Sequence, residues 1–89
     1  MSDALLYFKR VPSLPVAQTV TASPYVYTNA TVSAQIVKIS GGAVSLIEIN
    51  AGKGYLPQVG LLGSFLVLPN QSIRITYLVT PPTVSVVTL

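Results

Sequence analysis

No stretch of this chain keeps apolar residues at the i, i+3, i+4, i+7 spacing of a helix, and every apolar run is short and stopped by Pro, Gly or a polar residue. Val, Ile and Thr fill these runs; their branched side chains suit a pleated strand and crowd a helix. The chain is predicted to be all-β. The same interruptions leave no run near the roughly 18 apolar residues of a membrane-spanning helix, and no membrane partner is expected. At 89 residues it has room for one domain.

The strands are legible as Tyr25 to Thr28, Val32 to Ser40, Ala43 to Asn50, Ser64 to Leu68, Ser72 to Thr80 and Thr83 to Thr88, each bounded by turn residues. Ser40, Gly41 and Gly42 separate two of them, and a Gly pair that can take positive φ predicts a tight hairpin there. On Ser72 to Thr80, alternation places Ile73, Ile75, Tyr77 and Val79 toward a core. On Ala43 to Asn50 both faces are apolar, with Ala43, Ser45, Ile47 and Ile49 opposite Val44, Leu46, Glu48 and Asn50. A strand of that kind is covered on both sides. Pro12, Pro15 and Pro24 remove backbone donors from the first quarter, so Leu5 to Ser23 is predicted to be an extended arm or edge segment that could add a seventh strand. The expected architecture is a small antiparallel β-sandwich over 24–89 with an extended N-terminal arm over 1–23.

A domain this small buries only about 60–65% of its unfolded surface, yet 51% of the residues are hydrophobic and 8% are charged. The excess apolar surface predicts a permanent assembly. With no His, no Cys and two acids, Asp3 and Glu48, the chain has few general acids, bases, nucleophiles or metal ligands. No catalytic residue, metal site or cofactor is expected, and an enzyme is not. Glu48 is predicted to pair with Arg74 or Lys38 across a sheet, or with a partner subunit. The net charge of +3 comes from Lys9, Arg10, Lys38, Lys53 and Arg74. That suits an acidic protein surface and falls short of the 6–10 phosphate contacts typical of nucleic-acid binding, so no nucleic-acid partner is expected.

Candidate interface residues fall in two groups. Leu5, Leu6, Tyr7, Phe8, Lys9 and Arg10 join four bulky apolar anchors to a charge pair, the composition of an arm reaching over a neighbour. Tyr25 and Tyr27 share a strand face, and Tyr55, Leu56, Val59, Leu61 and Leu62 make the Gly-rich stretch from Asn50 to Gly63 too apolar for a freely solvated loop. Tyr25 and Tyr27 fit core or intersubunit packing, a base-stacking platform or a sugar-binding face. Gly52-Lys53-Gly54 lacks the spacing of a phosphate loop and is read as a flexible turn. Asn29-Ala30-Thr31 and Asn70-Gln71-Ser72 match the glycosylation acceptor pattern and are read as turns. The Leu-Leu-Tyr-Phe run precedes its basic pair, the reverse of a secretory signal.

Three segments resemble small β proteins of tailed bacteriophages, including the capsid decoration or cement proteins. They are Ser23-Pro24-Tyr25-Val26-Tyr27-Thr28-Asn29, Ser40-Gly41-Gly42-Ala43-Val44-Ser45-Leu46-Ile47, and Phe65-Leu66-Val67-Leu68-Pro69-Asn70-Gln71-Ser72-Ile73-Arg74-Ile75-Thr76-Tyr77. Those proteins commonly show a Leu-x-Pro-Gly-Asp-Ser-Ile/Val turn, and here Asn70 and Gln71 stand where it has Gly and Asp. The resemblance implies a structural virion protein on the outer surface of the capsid, self-associated as a homotrimer and bound to the major capsid protein. Two other functions fit the residues: another virion component such as a head fibre base, tail or spike protein, and a small module binding sugar or single-stranded nucleic acid.

Overall fold

The computed structural model describes residues 14–58 and 60–89. Within them the alternating runs form eight strands: β1 (Val16–Gln18), β2 (Tyr25–Thr28), β3 (Gln35–Ser40), β4 (Val44–Asn50), β5 (Tyr55–Pro57), β6 (Gly63–Val67), β7 (Ser72–Tyr77) and β8 (Thr83–Thr88). All strand pairings are antiparallel. Sheet A has the order β1-β8-β3-β6 and sheet B the order β2-β7-β4-β5. The protein is an all-β sandwich, as its periodicity predicts. Consecutive strands lie in opposite sheets except β4 and β5, and this order is that of a jelly roll, two Greek keys wound into a double sheet.

The core lies between the sheets. Sheet A contributes Val37, Ile39, Val67, Val84 and Val86 and sheet B contributes Ile47, Ile73 and Ile75, none more than 3% exposed. Each such side chain stabilises the fold by about 1.5–3 kcal/mol relative to an exposed one. The polar residues between them in sequence, such as Lys38 and Ser40, are exposed.

Five local expectations are corrected. The Ser40-Gly41-Gly42 turn does not join a hairpin: β3 pairs with β6 and β8, and β4 with β5 and β7. Gly41 and Gly42 do take positive φ, 68° and 70°. Local geometry makes the turn, but two strands with apolar inner faces can also stack across a core, and here they do. The stretch from Asn50 to Gly63 is not all loop, because Tyr55–Pro57 adds an edge strand to β4. Val44 does not stand opposite Ile47: it pairs with Tyr77 while Leu46 pairs with Thr76, so Ser45 is the extra residue of a β-bulge and Val44 packs on the core.

Val79 leaves the core face altogether, with φ 34° and 99% exposure. The chain there turns onto the β3–β4 link, with Leu78 N donating to Ala43 O (2.9 Å) and Ala43 N to Thr80 O (3.0 Å). The third strand begins at Gln35, not Val32, because Asn29 captures the intervening chain. Asn29 is fully buried; its Nδ2 donates to Ser33 O (2.8 Å) and Val67 O (2.9 Å), and its Oδ1 accepts from Thr31 N (2.9 Å) and Thr31 Oγ1 (2.6 Å). Its own N–H donates to Gln71 O (2.9 Å), and Asn70 N donates to its carbonyl (2.7 Å). Asn29 thus ties the β2–β3 link to the β6–β7 link, and its buried amide is not presented to a glycan.

Candidate functional site

The outer face of sheet B carries Glu48 and Arg74, two of the charged residues. Cross-strand register sets Val26, Arg74, Glu48 and Pro57 in one row and Thr28, Ser72, Asn50 and Tyr55 in the next. Arg74 Nε donates to Glu48 Oε1 at 2.9 Å, and its Cζ lies 4.0 Å from the Tyr55 ring centroid. The hydrogen bond to Glu48 is the main reason the guanidinium pKa stands above its ordinary value. Of the partners predicted for Glu48, the structure selects Arg74. Thr28 and Ser72 share a 2.7 Å hydroxyl hydrogen bond. The cluster is closed on itself. Among the described residues no three His, Cys, Asp or Glu side chains stand together.

Gly52-Lys53-Gly54 is a turn, as read from the sequence: Asn50 Oδ1 accepts from Gly52 N (2.8 Å) and Gly54 N (3.2 Å), and Lys53 is exposed. In the β6–β7 turn, Asn70 takes φ 67° and Gln71 Oε1 accepts from Leu68 N at 3.1 Å, so the Gln carbonyl fills the acceptor place of a carboxylate.

Tyr25 and Tyr27 face inward, paired with Ile75 and Ile73 and packed against the core. Tyr27 OH donates to Gln35 Oε1 (2.7 Å), whose Nε2 donates to Thr88 Oγ1 (2.8 Å), a polar chain linking the two sheets. These tyrosines are core packing and present no outward sheet face. Burial, then the neighbouring Tyr27, raises the Tyr25 pKa above its ordinary value of 10.0. The unfolded chain therefore loses that proton first, and the stability this group contributes, fully present below pH 10, is lost as pH rises through the folded value. Tyr25→Phe is expected to flatten the loss of stability measured by urea midpoints between about pH 9 and 11; an unchanged slope would remove Tyr25 as its source.

Tyr55 and Leu56 lie on edge strand β5, and Leu61 and Leu62 in the crossing to β6. The three leucines are 61%, 43% and 55% exposed. Val59 and the arm residues Leu5, Leu6, Tyr7, Phe8, Lys9 and Arg10 lie outside the described residues.

A second apolar surface went unread in the sequence. On the outer face of sheet A, register aligns Leu66, Ile36 and Val87 across β6, β3 and β8, of which Val87 is buried. The Leu89 N to Ala34 O bond (2.9 Å) continues the ladder, so Leu68, Ala34 and Leu89 form the next row. Leu66, Leu68 and Leu89 are 54%, 43% and 42% exposed. The rest of this face is polar, with Ser64, Lys38 and Ser85 in the following row. The signal was present: these three strands, like β4, carry apolar residues on both phases. Compared with known proteins, the chain matches no family model, no curated protein and no solved structure.

Proposed function

We propose that this protein is a non-enzymatic structural component of a bacteriophage head, a decoration or cement protein that attaches to the outer capsid surface at junctions between major capsid subunits. The observation that carries this reading is the apolar surface left outside a saturated interior. Twelve large hydrophobic side chains among the described residues are between 42% and 99% exposed, while no buried side-chain nitrogen or oxygen lacks a partner. Leu66, Leu68 and Leu89 make part of that surface contiguous on sheet A, and a contiguous exposed apolar patch favours association. The jelly-roll order adds support at the level of fold class, since it recurs in viral capsid domains, although it also serves lectins and cupins.

A cement protein binds the assembled shell and not its separated subunits, so its binding free energy adds directly to shell stability. Many weakly attached copies then act together across the lattice. A homotrimer bridging several capsid subunits fits that role. The ligand-binding alternative rests on Tyr25, Tyr27 and Tyr55 as stacking platforms and has less support: two rings face the core, and Arg74 lies over the third.

Deleting Met1 to Arg10 removes four apolar anchors and two cations while leaving all eight strands. Occupancy of capsids lacking the protein is expected to fall at least roughly tenfold in co-sedimentation, the equivalent of about 1.4 kcal/mol, with an unchanged far-UV spectrum. Undiminished occupancy by the truncated protein would refute the role of the arm, and failure of the full chain to sediment with capsids would refute the function.

A further inference from the structure

We infer that edge strand β6 pairs antiparallel with β6 of a second copy of this chain, about a two-fold axis at Phe65, so that two copies of sheet A join into one eight-stranded sheet. The inference does not rest on the virion assignment: it concerns the free protein, whereas the homotrimer belongs to the capsid-bound state. Three observations carry it.

The first is the state of the four sheet edges, β1 and β6 in sheet A and β2 and β5 in sheet B. An edge strand offers a row of unpaired N–H and C=O groups, and short length, proline and charge are what blunt it. β1 has three residues and follows Pro15, β2 has four and follows Pro24, and β5 has three and ends on Pro57. β6 has five residues, Gly63–Val67, with no charge and no proline within it or next to it. It is the edge left open to another strand.

The second is which groups are free. Leu89 N donates to Ala34 O (2.9 Å), so Ala34 turns its backbone groups toward β8. Alternation along β3 turns those of Ile36 and Lys38 the same way and those of Gln35, Val37 and Ile39 toward β6. Their partners Val67, Phe65 and Gly63 are thereby engaged, which leaves the N–H and C=O of Ser64 and Leu66 on the open side. Leu68 is the next residue of that phase, and its groups are taken: its N–H donates to Gln71 Oε1 (3.1 Å) and its carbonyl accepts from Gln71 N (3.0 Å). The free segment is Ser64-Phe65-Leu66, with its hydrogen-bonding groups arranged symmetrically about Phe65.

The third is self-complementarity. Two such segments placed antiparallel about Phe65 set Ser64 of each copy opposite Leu66 of the other, and every free group of both finds a partner. Moving the axis to Leu66 brings Ser64 against the capped Leu68 and loses half of those bonds. With the axis at Phe65, the two Phe65 rings, half-buried and packed on the core at the edge, meet as a close cross-strand pair. On the outer face the two Lys38 fall in different rows with three strand spacings, about 14 Å, between them, so no like charges meet. A foreign strand would have to bring free groups of this phase and length, whereas a second copy already holds them.

The absence of cysteine makes the test direct. Ser64→Cys and Leu66→Cys alter exposed side chains, so neither opens the core. The two full-length variants are mixed in equal amounts and oxidised. Two-fold pairing sets residue 64 of one copy about 5.5 Å from residue 66 of the other, while like residues stand about 7–8 Å apart, beyond the roughly 6.8 Å that a disulfide spans. A mixed disulfide dimer is therefore expected as the main product. Statistical proportions of the three dimers, or no cross-link, would overturn the inference. Light scattering on the cysteine-free chain is expected to give the mass of two chains at high concentration, halved in Leu66→Pro. That substitution removes an N–H that points away from β3, so the ladder within the chain survives, as an unchanged far-UV spectrum would show. An undiminished mass in folded Leu66→Pro would overturn the inference by placing the subunit contact elsewhere; if that variant does not fold, the cysteine pair decides. Capsid co-sedimentation is a separate measurement, so the two readings fall independently.

Discussion

Replacing Asn29 with alanine is expected to lower stability by about 3 kcal/mol, a shift of roughly 12–24 °C in the thermal midpoint of a domain this size. The side chain makes four hydrogen bonds from a position with no solvent exposure. Thr31 is exposed and can turn its N–H and hydroxyl to water, so those two bonds cost little. The acceptors are another matter. Val67 O and Ser33 O receive both protons of the amide; Ser33 O keeps the Thr31 hydroxyl as a donor (3.0 Å), but the Val67 bond is buried, so truncation leaves that carbonyl facing a void that excludes a good replacement. Because Asn29 also exchanges two backbone bonds with the β6–β7 turn, the loss spreads to that end of the sandwich. Asn29→Asp separates hydrogen bonding from shape. It keeps the volume and the Thr31 acceptor but turns an oxygen toward Val67 O and Ser33 O. Burial raises the pKa of the new carboxyl in the folded state, so its penalty should be largest at neutral pH and shrink as pH falls toward the ordinary Asp value near 3.9. Thermal melts at about pH 7 and pH 4 on both variants check this. A midpoint within a few degrees of wild type for Asn29→Ala would show that water replaces the amide.

The residues that show themselves in the sequence are those whose behaviour is decided locally. The strands Tyr25–Thr28 and Thr83–Thr88 are bounded as alternation and turn residues predict, and the Ile73, Ile75 face is inward because a period of two leaves it no other course. Glu48 and Arg74 pair because they are the opposite charges that register brings face to face. What escaped is decided by distant partners. Whether Gly41 and Gly42 join neighbours in one sheet or cross between two depends on where β6, β7 and β8 lie, which no feature of the turn encodes. The β4 bulge at Ser45 shifts the phase of Val44 with no local mark in the sequence. Asn29 looked like a glycosylation or turn residue because a single polar side chain among turn residues carries no sign that a strand 38 positions later will bond to it. The apolar rows on sheet A emerge only when three strands are laid side by side, since each contributes just one or two members.

Gly42→Ala is expected to destabilise the fold by about 4 kcal/mol, and Gly41→Ala by only about 1–2 kcal/mol, although the two glycines have nearly the same φ. Both sit in the left-handed region, where a Cβ meets its own carbonyl oxygen at a cost of roughly 1–2 kcal/mol. That term is common to both and cancels in the comparison. The difference is what surrounds them. A Cβ at Gly41 would have nothing within 4 Å, whereas one at Gly42 would stand 2.6 Å from Pro82 N, 2.7 Å from Pro82 Cα and 2.8 Å from Pro81 C. These are backbone atoms, and no rotamer change moves them aside. Relief requires the β3–β4 link to separate from the β7–β8 link. That separation breaks the Ala43 N to Thr80 O and Leu78 N to Ala43 O bonds joining them, and overpacking of this kind adds roughly 1–3 kcal/mol. Against a total stability of about 5–15 kcal/mol, the Gly42 variant stands near the threshold of folding while the Gly41 variant remains folded. Urea midpoints of the two variants decide the matter. Equal shifts would mean that positive φ accounts for the whole cost and that the two links do not press together, leaving that end of the sandwich free to open.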